Sequence, residues 1–359
     1  MKVDKLVLKD FTVFADATFE FSPGLNVLIG ANATGKSHVL KALYSLLRPM
    51  VTTQHNGAGN ARQRAQRLGH ALLEKMQMTF RPEPGRSALS SLIRHGADKG
   101  SVTAHGDFGN AGIALVGDSA STDVPTGAWP KDPVVFVPAA EVLSMYPGFV
   151  AAWERRELSF DETYRDLCVD LSASPLKTIS PRVLGDVAKG LEEAVGGMTR
   201  LRGGKFFVSL AGDWLLEAPL LAEGLRKLAS MAHLIRTGSL AKKSVLLWDE
   251  PEANMNPKLI PALARALLAL AGAGVQVVAA THDYLLSNEL SVVAEYGTPE
   301  AKAAKVRFFC LYRPGPRGSV EIQWGNTIAD LPKNPILEEF AAHYDREQQL
   351  FARTPSSEP

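Results

Sequence analysis

The sequence predicts an α/β fold in which a largely parallel sheet carries functional loops at the carboxyl ends of its strands, and three observations predict it. Largely apolar runs suited to buried strands occur at Leu25–Ile29, Ser244–Trp248 and Val275–Ala280. Each ends in a polar or glycine-rich cluster, which is where parallel α/β sheets place their ligands. Helix-periodic stretches follow, with apolar residues at Val39, Leu40, Leu43, Leu46 and Leu47 in the first and a second over Pro257–Leu270.

In chain order, Val3–Leu8 and Ala17–Phe21 read as short strands, and Pro23–Gly24 as a turn before the strand Leu25–Ile29. The helix Lys36–Leu47 closes the first half of a lobe at residues 1–50. Residues 51–133 read as an insertion, a basic helix followed by short strands broken by glycine. Between Arg62 and Lys99 eight Lys or Arg face three Asp or Glu. That excess suits a nucleic-acid or partner face, and equally a solvated helix whose stripe Ala65, Leu68, Leu72 and Met76 packs on the sheet. Residues 134–204 open with the strand Pro133–Pro138 and continue as a helical lobe. Residues 205–330 hold a hairpin around 211–213, a helix from Pro219 to Ile235, and strands near Val306–Tyr312 and Val320–Trp324. A last helix, Pro335–Gln349, and a tail expected to be disordered complete 331–359.

Composition bounds the function without naming it. Apolar residues make up 46% and charged residues 21%, as in ordinary globular proteins, and the net charge is +1. Cys168 and Cys310 are too few and too far apart for a disulfide framework or a zinc site. No stretch reaches the roughly 20 apolar residues of a membrane span, and the opening MKVDKLVLKDF has no signal core, so the cytoplasm is the expected compartment.

The chemistry is concentrated in three motifs. Gly30, Ala31, Asn32, Ala33, Thr34, Gly35, Lys36 and Ser37 fit G-x-x-x-x-G-K-[ST], with an apolar strand before and an amphipathic helix after. Glycines let successive backbone N–H groups turn towards phosphate oxygens, and the helix adds its positive end. Lys36 is then expected to neutralise the β- and γ-phosphates of ATP, Ser37 to ligate Mg²⁺, and His38 to border the nucleotide. Asp249 and Glu250 end the strand Val245–Trp248; Asp249 is expected to hold Mg²⁺ and Glu250 to polarise the attacking water. An acidic cap on the next helix is the plainer reading of that pair. His282, at the end of Val277–Ala280, suits a γ-phosphate sensor, although alone it would pass for an ordinary loop histidine.

These motifs, in this order, resemble the ABC-type ATPase heads of the SMC, RecF and OLD group, particularly compact prokaryotic AAA-family ATPases. The resemblance covers about residues 1–48 and 205–330. It implies a P-loop NTPase with an ABC-type head, an N-terminal β-rich subdomain and a helical lobe. Asp249–Pro257 looks like a Walker B running into a D-loop, with Asn256 where Asp is usual, and Thr281–Asp283 looks like an H-switch. The signature candidate is Leu221–Arg226: Ala222 replaces the usual Ser and Glu223 the residue after it, while Gly224 remains. Glu141 is the candidate for the Q-loop position, or an ordinary acid at a strand end.

The resemblance further implies a homodimer sandwiching two ATP molecules, with Glu223 and Gly224 of one copy facing the nucleotide on Lys36 of the other, and a slow or partner-stimulated turnover. Long coiled-coil arms, a Toprim-like acidic cluster and a guanine-recognition motif are missing from the sequence. The expected role is an ATPase subunit whose dimerisation controls a separate effector protein, for example in anti-phage defence. The alternatives are a RecF-like clamp binding DNA through the basic segment 62–99, and a slow nucleotide-sensing regulator.

Overall fold

The structure is a computed structural model, and it describes residues 1–53, 60–82, 88–125, 127, 129–210, 214–315 and 318–353. The hairpin turn at 211–213 and the tail beyond residue 353 lie outside the described residues.

The apolar runs assemble as the sequence requires. Strands β3 (Leu25–Gly30), β7 (Val134–Val137), β11 (Val245–Asp249), β12 (Gln276–Thr281) and β13 (Arg307–Tyr312) form a parallel sheet in the order β13-β3-β12-β11-β7. An antiparallel edge strand, β14 (Glu321–Gly325), is added beside β13. Buried on both faces, these strands have continuous apolar sequences rather than alternating ones. Leu25, Val27 and Ile29 point into one core and Leu28 into the other.

On the first face pack α5 (Arg182–Val195), α6 (Glu223–Thr237), α7 (Ile260–Gly272) and α8 (Tyr284–Glu295). On the second lie α1 (Lys36–Thr52), α2 (Ala61–Phe80) and an antiparallel sheet ordered β2-β1-β4-β5-β6. Its strands are β1 (Val3–Phe11), β2 (Phe14–Glu20), β4 (Lys99–Gly106), β5 (Gly109–Val116) and β6 (Ser119–Asp123). Residues 51–133 are therefore not an insertion set apart from the first 50: β4 pairs with β1 from Val3↔Gly106 to Lys9↔Ser101 and completes the sheet. Helix α1 also runs through the expected boundary to Thr52.

The side chain of Gln276 pins the two sheets together, accepting from Val3 N (2.8 Å) and donating to the oxygens of Val3 (2.8 Å) and Ser22 (2.9 Å). Helix α2 starts in a capping box of Asn60 and Gln63 and buries Leu68, Leu72 and Met76, so its stripe packs on the molecule. Arg62 and Arg64 stay exposed.

The expected boundary at 204/205 falls inside a hairpin. Strands β8 (Met198–Arg202), β9 (Lys205–Ser209) and β10 (Leu215–Glu217) make a third small sheet, β10-β9-β8. The helix expected from Pro219 instead begins at Glu223, because Ala218–Leu220 is one turn of 3₁₀ and Leu221 is extended. Pro257–Leu259 is likewise 3₁₀, with Asn256 capping it, before α7 begins. Helices α3 (Phe149–Glu154), α4 (Glu162–Leu171), α9 (Pro299–Ala304) and α10 (Pro335–Arg353) complete the elements used below.

Helix α4 is fastened to α1 by a charged ladder. Lys41 Nζ pairs with Asp161 (2.6 Å), Tyr44 donates to Asp166 (2.6 Å), and Arg48 grips Asp170 with both ends of its guanidinium (2.8 and 3.1 Å). From α2, Lys75 adds bonds to Glu162 (2.7 Å) and Asp166 (2.8 Å). Every cation has a carboxylate, the condition under which buried charge is tolerable.

Candidate nucleotide site

Sheet register brings the three motifs to one rim. Gly30 lies beside Leu311, Ile29 beside Thr281, and Asp249 beside Ala280, so the loops after β3, β11 and β12 leave the same edge. An open depression of about 470 Å³ at this edge is lined by Asn32 to His38, Glu250, Val13 and Arg313.

The glycine loop turns as phosphate binding demands. Gly30 (φ 151°) and Gly35 (φ 91°) have backbone angles that favour glycine, and a Cβ on either would strike Leu311 O at 2.3 Å or Val13 Cγ2 at 2.6 Å. Ala33 is left-handed too (φ 62°), and Thr34 braces the loop by donating to Ala31 O (2.9 Å). Lys36 Nζ folds back onto the oxygens of Gly30 (2.7 Å) and Ala31 (3.0 Å). Burial depresses its ammonium pKa, a shift that Glu250 and Asp249 partly oppose. The ring of His38 borders the depression against Phe80, and burial and then Lys41 lower its pKa.

Burial holds the carboxyl of Asp249 above the usual carboxylate range; the nearby Ser37 hydroxyl pulls the other way. Asp249 Oδ1 is sealed from solvent and receives no hydrogen bond from the described residues. A buried carboxylate oxygen without a donor is costly unless a ligand completes it. With Ser37 and Asp249 together, the oxygen donor set fits Mg²⁺.

Glu250 stands beside it with φ 46°, a strained backbone for a non-glycine residue. Glu250 Oε1 is 3.2 Å from His282 Nδ1, and both side chains are partly open, at 32% and 46% exposure. The same loops are joined below: Thr281 donates to Glu252 Oε1 (2.6 Å) and accepts from Asp283 N (2.9 Å).

Other expected residues are not among those lining the depression. Glu223 and Gly224 open α6, where a signature would lie; Gly224 is buried against Met255, and Glu223 accepts from Asn254 Nδ2 (2.9 Å). Glu141 is tied to Arg226 (2.8 Å) and receives Ser144 N (3.2 Å), so its carboxylate is engaged with α6. Sequence reading missed three residues. Arg313, on the β13–β14 connection, donates to Ala33 O (3.2 Å) and lines the depression. Lys227 donates to the Glu250 carbonyl (3.0 Å), and Glu252 ties Walker B to the switch. No motif marks Arg313; only the parallel pairing of β13 with β3 reveals it.

A family model described as "AAA domain, putative AbiEii toxin, Type IV TA system" matches residues 150–288, and one described as "AAA ATPase domain" matches residues 1–80. The head of an Smc protein solved with the C-terminal winged-helix domain of ScpA aligns over 92% of this chain and 99% of its own at TM-score 0.55 and 14% identity. An Smc head with an extended coiled coil, bound to the C-terminal domain of ScpA derived from Pyrococcus furiosus, aligns over 95% and 99% at TM-score 0.51 and 14% identity.

By sequence, the DNA replication and repair protein RecF of Lacticaseibacillus casei is 52% identical over 46 residues, 13% of this chain and 12% of RecF. That of Ligilactobacillus salivarius is 39% identical over 84 residues, 21% and 22% of the two chains. The likeness thus reaches less than a quarter of the RecF proteins' own length.

The fold is that of the P-loop ATPases. In its family matches over residues 1–80 and 150–288, its head-domain fold and its short RecF likeness, the chain is similar to SMC/RecF-like ABC-type ATPases. Among the described residues no helix is long and apolar enough to cross a membrane.

Proposed function

We propose that the chain binds ATP with Mg²⁺, hydrolyses it slowly, and uses ATP-driven pairing of two copies to control a separate effector protein. The observation that carries this reading is the rim itself: a phosphate cradle with Lys36, a donorless Asp249 oxygen next to Ser37, and Glu250 paired to His282 at one depression. Lys36 swings from its loop carbonyls to the β- and γ-phosphates, and the loop N–H groups hold their oxygens. Ser37 and Asp249 would hold Mg²⁺, which would supply positive charge beside the phosphates. Glu250 takes the proton of the attacking water, and His282 orients that carboxylate.

The pairing rests on the head fold and on the start of α6, where Ala222 is exposed and offers no capping side chain. The effector reading draws support from the toxin-system wording of the family match, and an anti-phage setting belongs to the same proposal.

The test is Glu250→Gln with ATP and Mg²⁺. Turnover should fall by about 10²-fold or more while ATP binding persists, and light scattering should show an ATP-dependent dimer. Undiminished hydrolysis would remove Glu250 from the role, and a strictly monomeric trapped protein would remove the pairing.

A second reading, a DNA-binding clamp, draws on the RecF match and on exposed Arg62 and Arg64 at the start of α2. It requires DNA to stimulate ATPase at low salt and reversal of those two charges to abolish the effect. A DNA-indifferent rate at low salt would leave the effector reading alone.

A further inference from the structure

Three residues near the start of α6 reach the loops around Glu250. Glu223 accepts from Asn254, Arg226 Nε pairs with Glu141 Oε1 (2.8 Å) beyond the end of β7, and Lys227 Nζ donates to the backbone oxygen of Glu250 (3.0 Å). Lysines normally carry their charge to water along a flexible stem. Lys227 does not: the residue is 2% exposed, and its ammonium is spent on one carbonyl. Burial lowers its pKa, against the pull of Glu223, Glu252, Glu250 and Glu141, so it sits within a group of carboxylates while bonding a backbone atom.

The carbonyl it holds belongs to the residue with φ 46° at the centre of the site. A left-handed glutamate persists only where its surroundings fix it. Glu250 has three backbone ties: its N–H donates to Ala280 O (2.9 Å), and its oxygen accepts from Ala253 N (3.1 Å) and from Lys227. Of these, Lys227 alone is a side-chain tie and carries charge; Ala280 belongs to β12 and Ala253 to the loop after β11. Resting on the hydrolysis reading above, we propose that Lys227 is a positioning residue for Glu250: its ammonium fixes the strained backbone so that the carboxylate stays at His282 and the phosphate depression. It also makes the start of α6 mechanically continuous with Glu250, so a second copy pressing on that helix acts on the water-activating group.

The experiment compares steady-state ATP hydrolysis and nucleotide affinity for the wild type, Lys227→Met, Lys227→Arg, Glu250→Gln and the Lys227→Met/Glu250→Gln double variant. For Lys227→Met, kcat should fall roughly 10- to 100-fold, the scale of a lost charged hydrogen bond, while KM and ATP affinity stay within about twofold of the wild type, as expected when only a transition-state contribution is lost. Lys227→Arg should recover part of kcat. The double variant should be no slower than Glu250→Gln, since Lys227 acts through Glu250. A wild-type kcat in Lys227→Met, or losses that multiply in the double variant, would overturn the proposal.

If the Met variant does not fold, Lys227→Arg and Lys227→Gln carry the comparison. The order Lys > Arg > Gln in kcat at constant KM supports the role, and equal kcat overturns it. A wild type that never hydrolyses ATP would sink the ATPase reading. The positioning claim is then read from a crystal structure of Lys227→Gln: Glu250 leaving the left-handed region sustains it, and an unchanged φ overturns it.

Discussion

Helix α1 carries two sets of polar side chains within four turns, and the molecule treats them in opposite ways. Further along the helix, Lys41, Tyr44 and Arg48 each meet a carboxylate, at Asp161, Asp166 and Asp170. At its start, Lys36 has only the carbonyls of its own loop, and the carboxyl of Asp249 near Ser37 keeps an oxygen with no donor. Both sets are largely buried, so burial does not separate them. Completion does. A charge network closed within the protein holds two lobes together, and one left open by the same helix is a place for something else to close it.

Substitutions at the two ends should therefore fail differently. Lys36→Ala should have the largest effect: hydrolysis down by about 10²-fold or more and the ATP-induced rise in Tm lost, with the ligand-free protein no less stable. A Lys36→Ala protein that is destabilised without nucleotide would break the contrast. Asp166→Ala should do the reverse. It strands the Tyr44 hydroxyl in the α1–α4 contact, leaves Lys75 with Glu162 alone, and should cost about 3 kcal/mol, read from the denaturant midpoint. ATP affinity of the folded protein should stay within about twofold of the wild type, the scatter of a site that is not touched.

The smallest effect is the sharpest test. Burial raises the carboxyl pKa of Asp249, and the raised value means its charged form is disfavoured in the folded protein. That penalty is fully present at neutral pH and fades as pH falls through the folded pKa towards the unfolded one. Asp249→Asn should accordingly raise the ligand-free Tm at pH 7 by about 1–3 °C, with the gain shrinking in acid. For Asp166, burial acts upward too, but Lys75, Arg48 and the hydrogen bonds from Lys75 and Tyr44 outweigh it, and the carboxyl lies below its usual range. Its stabilisation is present above the unfolded pKa and disappears as pH falls through the folded one. Thermal scans between pH 3 and pH 7 should show the two trends with opposite sign.

How legible all this was depended on distance along the chain. The strands at Leu25–Ile29, Val245–Trp248 and Val275–Ala280, and the residues following each, could be read because a buried strand and its functional loop are adjacent in sequence. The antiparallel sheet could not. Nothing local in Lys99–Gly106 says that its partner is Val3–Lys9, and so its glycine-broken strands looked like an insertion. Arg313 and Lys227 were missed for the same reason: each acts through a contact made by packing, Arg313 with Ala33 and Lys227 with Glu250. The start of α6 was misplaced because Pro219 suits a first helical turn, and that turn is 3₁₀ and ends at Leu220.

Strand order has a consequence for how the protein comes into being. β3, with the phosphate loop at its end, leaves the ribosome well before its two sheet neighbours, β12 and β13, which begin at Gln276 and Arg307. Until some 250 further residues exist, β3 is an apolar strand with both edges open, the kind of segment that pairs wrongly or attracts chaperones. Nucleotide affinity is thus acquired late in synthesis, and a nascent chain that binds ATP has already brought its distant strands home.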